Sequence, residues 1–392
     1  MRKFFATVRE LVRNVEPGLF WCVMILCAIS LLTIFGAVDN FGHSKLKMQI
    51  AMFLLGTVLT LLLAIFDFRT IVDKLWLPML IGSAGLLILT LIVGTSGANM
   101  ETANKSWLRI PFTGQMIQPS EFVKATFICT FSKHLFTVRE KINRPLVVLG
   151  VAAHAGLFVG LILLSGDLGV ALVYLAIIAM MLFCAGLHLG YFAGVAGAIV
   201  LASPYIWDHL SLYQQRRIIV GFDPSLDPVV YGWQALLSKQ TISAGGFFGK
   251  GLFGGTYYEV LTASHTDFIF ATICEKFGFL GGALVILLYI FLVVRIFMIA
   301  RTAGNSDYGG LICVGVGGMF VAQILENIGM NLALLPVVGI TLPFLSCGGS
   351  SLLATFLMMG LVHSVYSHSH AVREENLPDT LDLDSSLFEN SD

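Results

Sequence analysis

Two carboxylates near the start of a long apolar run are the residues of this 392-residue chain best suited to proton transfer. Asp267 directly precedes the run, and Glu275 lies about 12 Å further along the axis if the run is helical. Ionisable groups in such runs are costly and usually face a cavity or an internal path. Asp267 could equally cap the helix, and Glu275 could form an ion pair with the adjacent Lys276. Both carboxylates are therefore candidate catalytic groups with structural alternatives.

A second pair of charges occurs earlier in the chain. Glu121 and Lys124 are spaced i, i+3, so they share a helix face and can form a salt bridge with each other. Alternatively, they form a cationic site at the outer membrane level, where Lys124 meets a phosphate group. Trp107 and Arg109 lie in the preceding outer loop, and an interfacial tryptophan normally anchors a protein at the membrane surface. This region is a candidate substrate-binding site.

Other polar residues could bind ligands or serve structure. Arg216 and Arg217 could bind phosphate or lie at the level of the lipid headgroups. Asp167 is placed to cap the helix that follows it. Asn327 lies within an apolar run, where we expect it to form interhelical hydrogen bonds.

The sequence also excludes several kinds of site. Residues 249–254 match GxGxxG, but no strand-like run precedes them, so we reject nucleotide binding. None of the seven cysteines belongs to a CxxC pair, and the nine histidines show no ligand spacing, which argues against zinc sites and disulfides. The glycines of residues 245–255 instead indicate tight turns or close approach of the backbone to a ligand.

The elements that position these residues are predicted to be membrane-spanning helices. Hydrophobic residues make up 57% of the chain and charged residues 12%, against about 25% charged in a soluble protein. The net charge of −1 offers no basic excess for a nucleic-acid partner. We predict an all-α polytopic membrane protein with about ten transmembrane helices. The predicted spans are 18–38, 48–66, 75–95, 118–136, 145–165, 168–186, 189–207, 268–300, 309–333 and 350–367.

Basic residues predict the orientation of these spans. Residues 1–17 combine basic and apolar side chains, which indicates an amphipathic cytoplasmic segment or simply a topology anchor. Further basic residues within 69–74, 139–144 and 295–301 fall on the same side, so both termini are predicted to be cytoplasmic. Residues 368–392 are acidic and are predicted to be a disordered cytoplasmic tail.

One long loop, residues 208–267, separates the seventh and eighth spans. Since seven spans separate it from a cytoplasmic N-terminus, we predict that this loop is extracytoplasmic. We also predict that it is ordered, because it carries tyrosines, a tryptophan and apolar stretches. Short helices that lie on the membrane surface or dip into it would account for this composition. Asp267 stands at its end, so the candidate chemistry is expected at the outer face.

Several short motifs resemble the shape, elongation, division and sporulation (SEDS) family. They occur in the family's order over nearly all of residues 18–367. The most specific are NIGM, LPVVGI, LPF and SCGGSS at 327–330, 335–340, 342–344 and 346–351, together with HTD at 265–267 and QPSE at 118–121. The chain departs from the family at Thr262 and Ala263, where Pro-Glu is usual, and at Cys347, where tyrosine is usual.

The resemblance implies a glycosyltransferase that polymerises lipid II into glycan strands at the outer face of the bacterial cytoplasmic membrane. Asp267 would be the catalytic carboxylate that takes the acceptor's proton, and Glu275 would orient the acceptor or tune Asp267. Lys124, Arg216 and Arg217, or a divalent cation such as Mg²⁺ or Mn²⁺, would stabilise the departing pyrophosphate.

The resemblance also extends to two further sets of residues. The implied substrate-binding positions are Trp107, Arg109, Glu121, Lys124, Arg216, Arg217 and Ser350. The implied structural motif consists of Asp167, Asn327, Pro336, Gly339, Pro343, Gly348 and Gly349.

The implied partners are lipid II, the growing strand, membrane lipids, a class B penicillin-binding protein that crosslinks the product, and other elongation or division machinery. Residues 66–69 and the short N-terminus favour an elongation role of the RodA type over division or sporulation. Two other classes stay open. A flippase or transporter would use a site at the membrane midplane on broken helices. A non-catalytic scaffold would only activate its partner.

Overall fold

The computed structural model describes residues 14–96, 105–110, 116–210, 212–304 and 307–376. Within these residues the protein is almost entirely helical, which confirms the predicted all-α class. Ten long helices correspond to the ten predicted spans. They are α1 (Pro17–Phe35), α2 (His43–Ile65), α3 (Phe68–Val93), α4 (Pro119–Val138), α5 (Pro145–Leu164), α6 (Leu168–Cys184), α7 (Leu189–His209), α8 (Ile269–Ala303), α9 (Gly309–Asn331) and α10 (Gly349–Asn376).

Most of these helices have the length and composition of membrane spans. Within the described ranges, seven are long and apolar enough to cross a membrane, namely α1, α2, α3, α5, α8, α9 and the Gly349–Ser369 part of α10. α6 and the Leu189–Tyr205 part of α7 are apolar but shorter. Large apolar side chains such as Leu146, Leu164 and Leu201 are exposed on the outer surface, as contact with lipid requires. The chain is a multi-pass membrane protein.

Helices α4, α9 and α10 form the centre of the bundle. α9 packs against α6 and α8, and α10 packs along α2. α4 is the most polar of the predicted spans, and its central position explains this. Its charged side chains Glu121 and Lys124 are buried within the protein, where they have polar partners, rather than facing lipid.

α8 is interrupted near its start. Gly278 adopts a non-helical conformation with φ 69° and ψ −164°, which is readily accessible only to glycine. Backbone groups that a regular helix would pair internally bind the preceding loop instead. Phe279 N donates to Gly246 O at 2.8 Å, and Lys250 N donates to Glu275 O at 2.9 Å. These hydrogen bonds pair the backbone groups at the break, which would be costly to leave unpaired within a membrane.

The glycine-rich loop reaches this break because it lacks side chains there. A Cβ atom on Gly249 would lie 2.1 Å from Lys276 O, and one on Gly245 would lie 1.9 Å from Cys274 O. Both distances are too short for any other residue. The predicted tight turns are confirmed by the positive φ angles of Gly246, Gly249, Gly251 and Gly255. Approach of this backbone to a ligand stays a prediction.

The long loop is ordered and contains short helices, as its composition predicted. They are Leu212–Phe222, Trp233–Ala244 and Tyr257–Val260, with a 3-10 turn at Pro224–Leu226. Elsewhere there is a short helix at Val38–Phe41, a 3-10 turn at Arg139–Lys141, and a two-stranded antiparallel ladder of β1 (Leu108–Arg109) and β2 (Met116–Ile117).

The ends of the chain agree only partly with the predicted segments. α1 begins at Pro17, and the side chain of Glu16 caps it by accepting from Leu19 N. α10 continues past the predicted end at residue 367 to Asn376, since residues 368–376 contain no proline or glycine to stop a helix. Residues 1–13 of the predicted amphipathic segment and residues 377–392 of the predicted tail lie outside the described residues.

Candidate active site

The backbone at Asp267 is fixed by two asparagines of α9. The carbonyl oxygen of Asp267 accepts hydrogen bonds from Asn327 Nδ2 at 2.8 Å and from Asn331 Nδ2 at 3.0 Å. Asn327 Nδ2 also donates to Ile340 O at 2.7 Å, so it ties the segment after α9 to the same point. The N-cap of α8 is Phe268, which makes the helix-capping alternative for Asp267 wrong. Its carboxylate therefore has a different role from capping.

The two residues before Asp267 are held from the opposite side by the segment that precedes α10. Ser346 Oγ donates to Thr266 O at 2.6 Å, and Cys347 N donates to His265 O at 2.8 Å. Ala263, at the start of this turn, has a φ of 56°, an uncommon conformation for a residue with a side chain. Hydrogen bonds from both sides thus hold a strained turn in place.

The carboxylate of Asp267 is half-buried beside Gly339. A Cβ atom on Gly339 would lie 3.5 Å from Asp267 Oδ2, and the φ of Gly339 is 81°. Burial raises the pKa of Asp267 to about 6, and a hydrogen bond with Thr266 partly opposes this shift. A carboxylate with such a pKa can both accept and release a proton near neutral pH.

A second cluster forms around the start of α4. Lys124 Nζ donates to Glu121 Oε1 at 2.9 Å, and both side chains are buried, as the salt-bridge alternative predicted. Gln118 Nε2 donates to Asp167 Oδ2 at 2.9 Å, and Gln118 N donates to Ser350 Oγ at 3.3 Å. The structure therefore brings Asp167, a residue of the implied structural motif, close to implied substrate-binding residues.

Asp167 caps α6, as predicted, because its Oδ1 atom accepts from Val170 N at 3.1 Å. Burial raises the pKa of Asp167, and the nearby charge of Glu121 adds to this increase, whereas the charge of Lys124 opposes it. Asp167, Glu121 and Lys124 are therefore close enough to interact electrostatically.

Residues 338–340 connect the two clusters. Gly339 lies against Asp267, while Gly169, in the first turn of α6, packs so closely that its Cβ atom would lie 3.3 Å from Val338 O and 3.1 Å from Ile340 Cγ1. Asp267 and the Asp167 cap thus lie on two sides of one short segment. We call this region the Asp267 groove, defined by Asp267, residues 338–340, Asp167 and Ser350.

The remaining motif residues make structural contacts. Pro336 packs against the helix Leu212–Phe222, where a Cβ atom on Gly221 would lie 2.5 Å from Pro336 Cβ. Pro343 O accepts from Tyr289 OH at 2.6 Å. Gly348 O accepts from Leu352 N at 2.9 Å, and Gly349 begins α10.

Trp107 lies close to the groove, whereas Arg109 is exposed. Lys105 N donates to Ser165 O at 2.9 Å, and Trp107 N donates to Thr95 O at 3.2 Å, which places this segment beside the turn that contains Asp167. Arg109 belongs to β1 and pairs with Met116.

Arg216 and Arg217 belong to the helix Leu212–Phe222, whose end packs on Pro336. The side chain of Arg216 is exposed, and that of Arg217 lies outside the described residues.

Glu275 has a different environment from the one predicted. Its Oε1 atom accepts from Thr256 N at 2.9 Å and Tyr257 N at 3.0 Å, and its Oε2 atom accepts from Tyr258 N at 2.9 Å. Both oxygens thus bind the N-terminus of the helix Tyr257–Val260. This buried carboxylate holds the loop, and the geometry favours a positioning role over contact with substrate.

Lys276 is likewise bound to backbone, so the expected ion pair with Glu275 is not formed within the described part of the chain. Lys276 Nζ donates to Leu252 O at 2.9 Å and to Gly36 O at 3.1 Å. It therefore ties the glycine-rich loop to the end of α1.

Lys45 is a site residue that sequence reasoning missed. Its Nζ atom lies 2.5 Å from His265 Nε2, and its side chain is half-buried. Burial and the charge of Lys45 lower the pKa of His265 to about 4, so the imidazole is neutral. No local sequence signal connects Lys45 with His265, because the two residues are far apart in the chain. The position of Lys45 just before the second predicted span was the one signal available.

A metal cage is absent from the described residues, which contain no group of three or more His, Cys, Asp or Glu side chains able to hold an ion. The two carboxylates of the groove, Asp267 and Asp167, lie on either side of residues 338–340, and Asp167 is occupied as a helix cap. A divalent cation held mainly by the pyrophosphate needs only one or two carboxylates, so that cation stays a prediction.

Comparisons with known proteins agree with this architecture. A family model described as a cell cycle protein, covering FtsW, RodA and SpoVE, matches residues 17–371. The chain is 34% identical to a probable peptidoglycan glycosyltransferase FtsW of Trichlorobacter lovleyi, over 88% of this chain and 89% of that protein. It is 35% identical to the stage V sporulation protein E of Bacillus subtilis, over 72% of this chain and 76% of that protein.

Two solved structures have a similar fold. A structure described as the coordination of polymerization and crosslinking by a peptidoglycan synthase complex superposes with a TM-score of 0.78 at 28% identity. It covers 91% of this chain and 98% of its own. The rod shape determining protein RodA of Thermus thermophilus superposes with a TM-score of 0.68 at 27% identity and the same coverage.

Proposed function

The chain belongs to the FtsW, RodA and SpoVE family, and from that premise we propose that it is a peptidoglycan glycosyltransferase that polymerises lipid II. The observation that carries the proposal is how the structure holds Asp267. Its backbone is clamped by Asn327 and Asn331, while its half-buried carboxylate has a pKa raised to about 6. Such a group is suited to general base catalysis.

Asp267 takes the proton from the acceptor sugar hydroxyl as that oxygen attacks the anomeric carbon of the donor. A bond forms between the acceptor oxygen and this carbon, and the bond from the carbon to the pyrophosphate oxygen breaks. Undecaprenyl pyrophosphate leaves with the electron pair, and the proton stays on Asp267 until solvent removes it. A single displacement of this kind inverts the anomeric centre.

The leaving pyrophosphate needs positive charge. Lys45 supplies a cation at the turn that contains Asp267, through its contact with His265. Arg216 is exposed on the helix that packs on Pro336, beside residues 338–340. Lys124 is paired with Glu121 and fully buried. We therefore propose that it acts on the groove through its electrostatic field and does not bind the phosphate directly.

The lipid tail of the donor requires an apolar path. A cavity of about 530 Å³ lies beside the first half of α8, and Phe270, Cys274, Phe279 and Ile286 are among its lining residues. It begins one helical turn from Asp267 and is almost entirely apolar. Its position supports a substrate whose sugar is at the outer face while its prenyl chain lies among the helices.

The orientation and the partner belong to the same proposal. The positive-inside rule places both termini in the cytoplasm and the Asp267 groove at the outer face. The likeness to a synthase complex supports assembly with a crosslinking partner, for which a class B penicillin-binding protein is the candidate.

A division- or sporulation-type role is better supported than the elongation role that residues 66–69 suggested, because relatives at 30–35% identity include FtsW and SpoVE proteins. Two of those residues have structural tasks. Asp67 caps α3 by accepting from Arg69 N at 2.9 Å, and Arg69 forms an ion pair with Asp307.

Transport is the competing function, and the break in α8 is the feature that would favour it. The freed backbone groups at that break bind the glycine-rich loop, however, so they are already paired and are not available to coordinate a transported ion or substrate. This arrangement supports the enzyme over the transporter.

The test is polymerisation of labelled lipid II by the purified protein with its crosslinking partner. Asp267→Asn is expected to lower the rate by at least about 100-fold, the usual contribution of a general base. Asp208→Asn, which changes an exposed aspartate at the end of α7, is the matched control and is expected to keep the wild-type rate. Polymerisation by folded, partner-bound Asp267→Asn protein at the wild-type rate would refute the enzyme proposal in favour of a scaffold.

A further inference from the structure

A second cavity lies at the end of the molecule opposite Asp267. Its volume is about 550 Å³, and it forms where α4, α6 and α8 end and α9 begins. Asp267 precedes the first turn of α8, whereas this cavity adjoins the last turn of that helix. The cavity is therefore separate from the Asp267 groove and from the proposed reaction.

One wall of this cavity is apolar and runs between helices. It includes Phe136 at the end of α4, Phe297 in α8, and Leu311 and Val314 in α9. Gly317, one turn further along α9, lets α9 approach α8, because a Cβ atom there would lie 2.9 Å from the ring of Phe297. The wall is suited to a hydrocarbon chain rather than to a water-soluble ion.

The mouth of the cavity is cationic. Arg139 stacks over the ring of Phe136, with 4.4 Å between the guanidinium carbon and the ring centroid, and Arg301 is exposed in the last turn of α8. A guanidinium has five N–H donors in a planar fork, so it can bind a phosphate in addition to other partners.

The one acidic group of the lining is already neutralised. Asp307 Oδ2 accepts from Arg69 Nε at 2.7 Å, and Asp307 Oδ1 accepts from Gly309 N at 2.6 Å. Two arginine charges thus exceed the acidic charge of the lining, and an anion fits this mouth better than a zwitterion.

We propose that this cavity binds an anionic phospholipid of the inner leaflet, with its phosphate between Arg139 and Arg301. One acyl chain lies along Phe297, Leu311 and Val314. The charged mouth and the apolar wall together fit a lipid, because free phosphate would gain nothing from the wall. Basic pockets between helices on the cytoplasmic side are typical sites for anionic headgroups.

The experiment measures lipid retained by the full-length protein. The protein is purified in detergent and titrated with phosphatidylglycerol or phosphatidylethanolamine, and bound lipid is counted by native mass spectrometry. We expect phosphatidylglycerol to bind at least about tenfold more tightly than phosphatidylethanolamine, and the Arg139→Gln/Arg301→Gln variant to lose about tenfold in that affinity. Arg144→Gln changes an exposed arginine at the same end but outside the cavity, and it should bind as the wild type does.

A second variant tests the wall. Leu311→Trp fills the cavity and keeps both arginines, so it is expected to reduce phosphatidylglycerol binding while thermal unfolding stays cooperative. Inorganic phosphate is the soluble probe and should leave lipid retention unchanged. Equal loss of lipid in Arg144→Gln, equal binding of both lipids, or displacement of lipid by phosphate alone would each overturn the proposal.

Discussion

Asp267 and Glu275 are carboxylates in one short stretch of chain, and they are held in opposite ways. Glu275 has both carboxylate oxygens bound to backbone N–H groups of residues 256–258, and its side chain is buried. Asp267 is bound through its backbone carbonyl, by Asn327 and Asn331, while its carboxylate lies half-buried beside Gly339.

The difference separates a structural carboxylate from a reactive one. Three N–H donors stabilise the charge of Glu275 and occupy the lone pairs that chemistry would need. Burial without such donors raises the pKa of Asp267 to about 6, which costs stability and leaves the oxygens available to a substrate proton. The same residue class at the start of one helix thus serves two purposes.

The largest effect on folding is expected at Glu275. In Glu275→Gln, the amide nitrogen would face one of the three backbone N–H donors, so we expect a loss of about 2–3 kcal/mol in the free energy of unfolding. Thermal unfolding of the purified protein measures this loss, with Glu140→Gln at an exposed site as the control. Stability equal to that of the control would remove the structural half of the comparison.

Asp267→Asn should behave in the opposite way. Since burial raises the pKa of Asp267 in the folded state, the charged form opposes folding above the unfolded pKa, and the neutral amide relieves this cost. We therefore expect the variant to unfold at the same temperature as the wild type or a higher one at pH 7.5. A clear loss of stability would contradict the assignment of Asp267 as a group held for chemistry.

The clamp on the backbone of Asp267 is the next test. Asn327→Ala removes hydrogen bonds to Asp267 O and Ile340 O, and misplacement of the carboxylate is expected to lower kcat by roughly 10- to 100-fold. KM for lipid II should change much less, since the binding surface is intact. Gln323→Ala, a buried polar residue one turn earlier in α9, controls for general damage. A rise in KM with unchanged kcat would contradict the positioning role.

A smaller effect is expected at Lys45. Lys45→Gln removes a charge beside His265, so we expect a fall of about tenfold in polymerisation rate and a rise in the pKa of His265, because the lysine charge lowers it. Kinetics at several salt concentrations and NMR titration of the histidine measure the two effects. Lys47→Gln, at an exposed neighbour, is the control, and equal effects in both variants would show that position 45 is not special.

The smallest effect is expected at Thr266. Its hydrogen bond lowers the pKa of Asp267, so Thr266→Val should move the acidic limb of the rate profile to higher pH while the rate at high pH stays near wild type. Thr262→Val, an exposed threonine of the same loop, should leave the limb unchanged. A shift to lower pH would have the wrong sign for this hydrogen bond.

Sequence patterns predicted the helices well because the apolar run that marks each span lies within one continuous stretch of sequence. Runs of apolar residues predicted the ten long helices of the described residues, and the glycines of residues 245–255 indicated tight turns, which the positive φ angles in this segment confirm. The break at Gly278 was not predicted, since a glycine within an apolar run is also frequent in unbroken membrane helices.

The partners of charged side chains were much harder to predict. The i, i+3 spacing correctly indicated the Glu121–Lys124 pair because both residues are on one helix. An ion pair between Glu275 and Lys276 was one alternative, whereas each binds backbone of the loop that folds over α8. Contacts of that kind depend on tertiary structure, as does the contact between Lys45 and His265.

The pH dependence of a single turnover of labelled lipid II by the wild-type protein tests most directly whether Asp267 acts as the general base. We expect a rate that is half-maximal near pH 6 and falls about tenfold per pH unit below it, because the protonated carboxylate cannot accept a proton. A rate that stays constant from about pH 5 to 8 would contradict this role.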